Sequence, residues 1–285
     1  MDYQENRTKR IEIFEDTIQY CERNTRLLES IKQTRQNTLL YRKPLKECSE
    51  AHKTYEQPVN ISVSTKRTLE TAKQLHLRYK DKRIGILNFA SASNPGGDVI
   101  RGNNAHEEIL CRCSTLYPCL NTIDLHQKYY DFHKQQRNQL YTDTCIITPG
   151  ITVFKTTGQW PQMCQESEWF SIDVISCSAP DLRKKDAAFN KYIYEDDTLI
   201  IYGKIRKLLQ HRIKGMLQAA VICNIDILVL EAFGCCTFFN SPYMVAEMYK
   251  EILKEFTYSF QKIEFSVFCT PTKRENYEIF SSILG

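Results

Sequence analysis

Short apolar runs alternate along this chain with stretches of helical periodicity. Residues 59–63, 84–89, 172–177, 225–230 and 263–269 are apolar segments bounded by charge or turn residues, the pattern of strands buried in a sheet. Residues 145–148 and 151–155 predict two further short strands on either side of Pro149-Gly150. Between them, Leu69, Ala72, Leu75 and Tyr79 share one helical side, with Ser64 or Thr65 as the expected cap. From Leu199 a long helix is expected to bury Ile205, Leu208, Leu209, Ile213, Met216, Leu217 and Ala220. Ser241-Pro242 is a cap followed by a first-turn proline, and Val245, Met248, Tyr249, Ile252, Leu253 and Phe256 then lie on one continuous face. A last short helix is expected over 275–284. Strands alternating with helices predict an α/β fold of three α/β/α layers. Residues 1–55 are polar, with Ile11, Phe14, Ile18, Leu27, Leu28 and Ile31 spaced for one or two amphipathic helices. They are expected to form a helical extension ahead of a domain over 56–285. No regular period is visible over 37–57, no single form is assigned to 120–140, and 156–169 and 186–197 are expected to be loops.

Residues 84–120 are the centre of this pattern. A buried strand over 84–89 leads into Asn94-Pro95-Gly96-Gly97, where two glycines admit positive φ and let the backbone approach a ligand. Helical pattern resumes near Ala105, with Glu107 and Glu108 in the first turn. A loop beyond the carboxyl end of a strand is where an α/β sheet places a ligand. Adjacent helix residues point about 100° apart, so the two glutamates need not share a role. With Asn104 as N-cap, Glu107 falls where a carboxylate reaches back to the cap amide, and the alternative is a place in the site. Glu108, between the glycine loop and Ile109-Leu110, is expected in a cleft. There it could exchange a proton with a glycosidic oxygen or a water.

The run N-F-A-S-A-x-N-P-G-G (88–97), followed by E-E-x-L-C-R-x-S-T-L-Y-P-x-L (107–120), resembles the microbial-type poly(ADP-ribose) glycohydrolases, a branch of the macrodomain superfamily. Their signature is three glycines, a short spacer, then Gln-Glu-Glu. Here Asp98 replaces the third glycine and His106 the glutamine, while the glutamate pair is intact. The run V-I-S-C-S-A-P-D-L-R (174–183) also resembles the family. So does Glu231 to Asn240, a counterpart of G-A-F-G-C-G-x-F-x-N in which Glu231 and Cys236 stand where glycines are usual. The resemblance implies a macrodomain-like mixed sheet against which the N-terminal region packs. It also implies a poly(ADP-ribose) glycohydrolase that cleaves ribose–ribose O-glycosidic bonds and requires no metal or redox cofactor. Glu108 would be the acid/base and Glu107 would orient the ribose. Asn88, Gly96 and Gly97 would lie near the distal ribose, Asp98 and His106 where the attached group enters. Gly234, Cys235, Cys236, Thr237, Phe238, Phe239 and Asn240 would surround the diphosphate and adenine. Two alternatives stay open: a mono-ADP-ribosyl hydrolase acting on modified protein or nucleic acid, and a non-catalytic ADP-ribose reader. A glutamate beside a diphosphate opposes binding unless it is paired or points away, so Glu231 bears on affinity.

Composition adds bounds. With 38 basic and 34 acidic residues well mixed, the net charge of +4 is compatible with an anionic ligand without demanding nucleic acid. The twelve cysteines are expected to be reduced and mostly buried in a soluble cytoplasmic protein. No apolar run is long enough to span a membrane. Cys111, Cys113, Cys119 and His126 match no usual zinc spacing. Cys235-Cys236 sits in an amide-rich loop that could favour a thiolate. For His106, capping or solvent exposure is expected, and for Phe238 or Phe239 either stacking on adenine or a place in the core.

Overall fold

The computed structural model describes residues 3–42, 54–183 and 198–285. In chain order the elements are α1 (Tyr3–Arg23), α2 (Thr25–Asn37), β1 (Leu39–Tyr41), β2 (Asn60–Ser64), α3 (Thr68–Arg78), β3 (Ile84–Phe89), α4 (His106–Cys113), α5 (Leu116–Leu120), α6 (Ile123–Leu125), α7 (Asp131–Gln136), β4 (Cys145–Val153), β5 (Phe170–Cys177), α8 (Thr198–Ile222), β6 (Ile227–Leu230), α9 (Pro242–Ile252), β7 (Lys262–Ser266) and α10 (Glu275–Leu284). The strands form one mixed sheet in the order β1-β4-β5-β3-β6-β7-β2. β3 lies between β5 and β6 and is parallel to both, while β4 runs antiparallel to β5 and to β1.

Period-two alternation divides the side chains of these strands between two cores. Leu87, Ile175, Leu228 and Leu230 pack with Leu209, Ile213 and Leu217 of α8, Val245 and Tyr249 of α9, and Phe280 of α10. Ile86, Val174, Ile227 and Val229 face the other way, onto Phe14, Leu27, Leu69, Ala72 and Leu110 of α1 to α4. The expected three-layer α/β/α arrangement is therefore present. Ser241 caps α9 by accepting from the Met244 amide, with Pro242 in the first turn, as the sequence predicts.

Several details differ. Residues 145–153 form one strand with a bulge at Pro149-Gly150 rather than two strands, and Lys155 beyond it makes only an isolated bridge to Met163: Gly150 takes φ +72°, and its amide donates to Asp173 Oδ1 at 2.9 Å, which carries the ladder across the irregularity. Ser64 and Thr65 do not cap α3. Ser64 is still in β2, paired with Ser266, and the helix starts later with Arg67 at its N-cap. In 37–57, where no period is visible, β1 adds an edge strand to β4; three residues are too few to show alternation. Most of 120–140 is helical, built from α6, a π-turn over His126–Tyr130 and α7, packed through Tyr129 and Tyr130. Residues 186–197 lie outside the described residues.

The N-terminal helices are tied to the rest by specific bonds. Thr17 Oγ1 donates to the Arg112 carbonyl at 2.8 Å, and buried Lys155 donates to Asp16 and to the Ile13 carbonyl. Arg7 and Arg10 donate to the carbonyls of Arg101 and Gly102, each at 2.6 Å, in the loop that follows β3. A cavity of about 670 Å³ lies at the amino end of β3, lined by Lys82, Arg83, Asp173 and Asn224. Two of its cations are paired locally, Arg83 with Asp173 and Lys82 with Asp226.

Arg212 of α8 is fully buried and fixes the carboxyl end of β5. It donates to Asp143 Oδ1 at 3.0 Å, to the Ser178 carbonyl at 2.8 Å and to the Leu140 carbonyl at 2.9 Å. Arg212→Met leaves those acceptors buried without donors, and is expected to lower unfolding stability by about 3 to 5 kcal/mol in urea titration. A loss under about 1 kcal/mol would show that this guanidinium is not the tie.

Candidate active site

The carboxyl ends of three adjacent parallel strands, β3, β5 and β6, open onto one region. After Phe89 the chain turns through Gly96 (φ +68°) and Gly97 (φ +61°). Both glycines are required by space as well as by dihedral. A Cβ on Gly96 would lie 2.7 Å from Tyr117 Cδ2, and one on Gly97 would lie 2.6 Å from Glu108 Oε1. The backbone therefore passes directly over the Glu108 carboxylate.

Helix α4 begins at His106 with Ala105 at the N-cap, not Asn104. Asn104 is diverted because its Oδ1 accepts from Arg112 Nη2 at 2.6 Å, while Arg112 Nη1 donates to the Asn103 carbonyl at 2.6 Å. Glu107 does not reach back to a cap either. Its Oε2 accepts the Ser91 amide at 2.7 Å, and Oε1 accepts Asn88 Nδ2 at 3.3 Å. Asn88 is in turn oriented by donation to Ser176 Oγ on β5 at 2.9 Å. Glu108 accepts the Asp98 amide on Oε1 at 3.1 Å, while Oε2 is buried without a hydrogen-bond partner. Both carboxyls are nearly inaccessible, at 2% for Glu107 and 5% for Glu108. Burial lifts the Glu107 carboxyl from 4.5 to about 8; the Ser91 amide and Asn88 hold it down in part, and the neighbouring Glu108 charge adds to the rise. Asn88, Glu107, Glu108 and the Ser91 and Asp98 amides thus form one cluster, with Gly97 packed against Glu108. The Asp98 side chain turns to Asn103 Nδ2 at 3.3 Å, so at this position the backbone amide meets the carboxylate.

His106 neither caps the helix nor faces solvent. Its Nε2 lies 3.2 Å from the Leu87 carbonyl and its Nδ1 3.0 Å from Glu231 Oε1, with the ring against Phe89. Glu231 also accepts from Thr68 Oγ1. Glu231 is therefore paired, the condition under which its charge does not oppose an anion.

The second loop follows β6. Gly234 takes φ +74°, and a Cβ there would collide with Asn240 Nδ2 and lie 2.6 Å from Ala179 Cβ. Asn240 is buried and holds the loop closed, donating from Nδ2 to the Pro180 carbonyl at 2.9 Å and to the Gly234 carbonyl at 3.2 Å. Phe239 is 70% exposed at φ +57°, so it is not core. Phe238 is half-buried, with the Arg183 guanidinium 5.1 Å from its ring centre. Cys236 and Thr237 are exposed. The thiolate that an amide-rich loop could favour is not favoured: burial raises Cys235, and at Cys236, exposed as a residue, partial desolvation of the sulfur and the Glu231 charge raise the thiol.

Several supporting residues carry no sequence signal. Ser91 acts through its amide, and Arg7 and Arg10 reach carbonyls far along the chain, so no side-chain pattern marks them. Ser178 Oγ donates to the Ala90 carbonyl at 2.9 Å and locks β5 to β3 below the loop. Among the described residues no group of three or more His, Cys, Asp or Glu side chains is gathered as a metal ion would need.

Known proteins share this architecture. A crystal structure of poly(ADP-ribose) glycohydrolase from Thermomonospora curvata superposes with a TM-score of 0.81 at 28% identity, over 96% of this chain and 99% of that one. The Thermomonospora curvata enzyme bound to the inhibitor ADP-HPD gives 0.79 at 28% identity, over 96% and 98%. The Deinococcus radiodurans poly(ADP-ribose) glycohydrolase in complex with ADP-ribose gives 0.73 at 27%, over 88% and 95%. No curated protein matches the chain. The model of the microbial-type PARG catalytic domain matches residues 7–156, which takes in the N-terminal helices, the glycine loop and both glutamates. With more than half of its length matched, and with this loop and buried glutamate pair in place, the chain belongs to the family of microbial-type PARG catalytic domains.

Proposed function

We propose that this glycohydrolase cleaves the ribose–ribose O-glycosidic bond of poly(ADP-ribose) and releases ADP-ribose, with Glu108 as the acid/base. The observation that carries the assignment is the division of labour within the glutamate pair. Both Glu107 oxygens are held by the protein, whereas Glu108 Oε2 is buried and unpartnered while its Oε1 lies against a Gly97 backbone that only glycine permits. A buried oxygen without a protein partner is positioned to meet a substrate atom.

In the proposed cycle Glu108 Oε2 gives a proton to the leaving ribose oxygen as the bond to the anomeric carbon breaks. The positive charge that develops on the sugar lies beside the pair. A water then adds to the anomeric carbon and returns its proton to Glu108, which restores the enzyme. Glu107 orients the sugar from its fixed position. Asn88, Gly96, Gly97 and Asp98 shape the ribose end, and the loop from Gly234 through Cys235, Cys236, Thr237, Phe238 and Phe239 to Asn240 receives the diphosphate and adenine. The relative in complex with ADP-ribose supports this use of the fold. Within the proposed N-terminal extension (1–55), helices α1 and α2 buttress the catalytic unit proposed over 56–285, through Arg7 and Arg10 on the glycine loop, while β1 joins the sheet. The cysteines among the described residues are free, which supports a reducing, cytoplasmic setting. No helix among the described residues is long and apolar enough to cross a membrane.

Two outcomes are expected. Glu108→Gln keeps the acceptor for the Asp98 amide and removes the exchangeable proton, so kcat on poly(ADP-ribose) should fall by about 100- to 10,000-fold with Tm little changed. A folded, fully active Glu108→Gln protein would refute the assignment. The second concerns pH. Glu107 is neutral below about pH 8 and charged above it, where the buried pair holds one proton fewer. kcat/KM should therefore decline above about pH 8, approaching about tenfold per pH unit. A profile flat across that range would contradict it.

A further inference from the structure

The two departures from the family pattern that flank the site, His106 and Glu231, meet each other. Glu231 leaves β6 at the start of the second loop, and His106 opens α4 next to Glu107, so their contact at 3.0 Å joins the two loops that frame the ligand. The other ring nitrogen faces the Leu87 carbonyl of β3, and Thr68 of α3 completes the Glu231 shell. Four elements therefore converge on one pair: β3, β6, α3 and α4.

We propose that His106 is a positioning residue whose imidazolium neutralises Glu231, so that ADP-ribose can bind a site that carries a glutamate where its relatives carry glycine. The geometry fixes the protonation. A carbonyl oxygen accepts only, and a carboxylate accepts only, so a ring bonded to both donates from both nitrogens and is a cation. The charged or titratable groups facing the pair are Glu108 from α4, Cys236 from the second loop and Tyr249 from α9, and none of them is a cation. Glu231 thus depends on His106 for its counter-charge. Burial alone would lower the His106 pKa; Glu231, the Leu87 carbonyl and Glu108 outweigh it and raise the ring above its ordinary value. Without the imidazolium, Glu231 would stand half-buried and anionic at the base of the loop proposed to take a diphosphate. Like charges in that setting oppose binding.

The inference rests on the glycohydrolase reading, because its probe is ADP-ribose. The test is the titration of ADP-ribose by calorimetry at neutral pH into wild type, His106→Gln and the double variant His106→Gln/Glu231→Gly. His106→Gln should weaken Kd by about tenfold or more, because it strands the Glu231 charge. Adding Glu231→Gly should restore binding to within about threefold of wild type. A residue that merely fills space is not rescued by a second truncation beside it. Equal binding by His106→Gln, or a double variant no tighter than the single, overturns the proposal. Should His106→Gln fail to fold, ¹⁵N NMR of the His106 ring decides. Both nitrogens should be protonated at pH 7 in wild type, and one should be bare in Glu231→Gln, while a neutral ring in wild type overturns it. Failure of wild type itself to bind ADP-ribose counts against the glycohydrolase reading. Wild-type binding matched by His106→Gln counts against the pair alone.

Discussion

Two carboxyl groups on adjacent residues, both nearly sealed from water, are the constraint to which the rest of the fold answers. Burying a pair of like charges is costly unless they are hydrogen-bonded or hold a proton. Here both devices operate. Glu107 is met by an amide and a carboxamide and keeps its proton to about pH 8, and Glu108 is met by an amide on one oxygen only. Those amides come from the loop after β3, and the loop reaches them because Gly96 and Gly97 adopt positive φ. The loop's shape is maintained in turn from α1 through Arg7 and Arg10, and from β5 through Ser178.

Much of this is legible in the sequence where the signal is local. The Gly96-Gly97 turn, the Ser241-Pro242 cap and the apolar face of α9 each follow from residues within a few positions of one another, and each is found. Features that depend on partners distant in sequence are not legible. Asn104 has the chemistry of an N-cap, yet Arg112 claims its side chain across the first turns of α4. Ser64 has the chemistry of a cap, yet pairing with β7 keeps it in a strand. A three-residue edge strand such as β1 carries no alternation to read, and its place is set by β4. The lack of thiolate character at Cys235 likewise follows from burial, which no loop composition reveals.

The departures from the family pattern have physical accounts in their partners. Asp98 supplies its amide to Glu108 while its carboxylate turns to Asn103, so the lost glycine costs the cluster nothing in hydrogen bonding. His106 and Glu231 are two ionisable side chains that meet at 3.0 Å, with Thr68 and the Leu87 carbonyl completing the contact. Cys236 is exposed and accepts from Asn276 Nδ2 at 3.6 Å, on the outer side of the loop. None of the four disturbs the Glu107–Glu108 arrangement.

What distinguishes Glu108 from its neighbour is a single unpartnered oxygen, and a crystal structure of the protein with ADP-ribose would show what that oxygen meets. Glu108 Oε2 should lie about 3 Å from the anomeric hydroxyl of the distal ribose, with Glu107 still bonded to Ser91 and Asn88. An ADP-ribose seated with its anomeric hydroxyl on Glu107, or on neither glutamate, would remove the physical basis for placing the chemistry on Glu108.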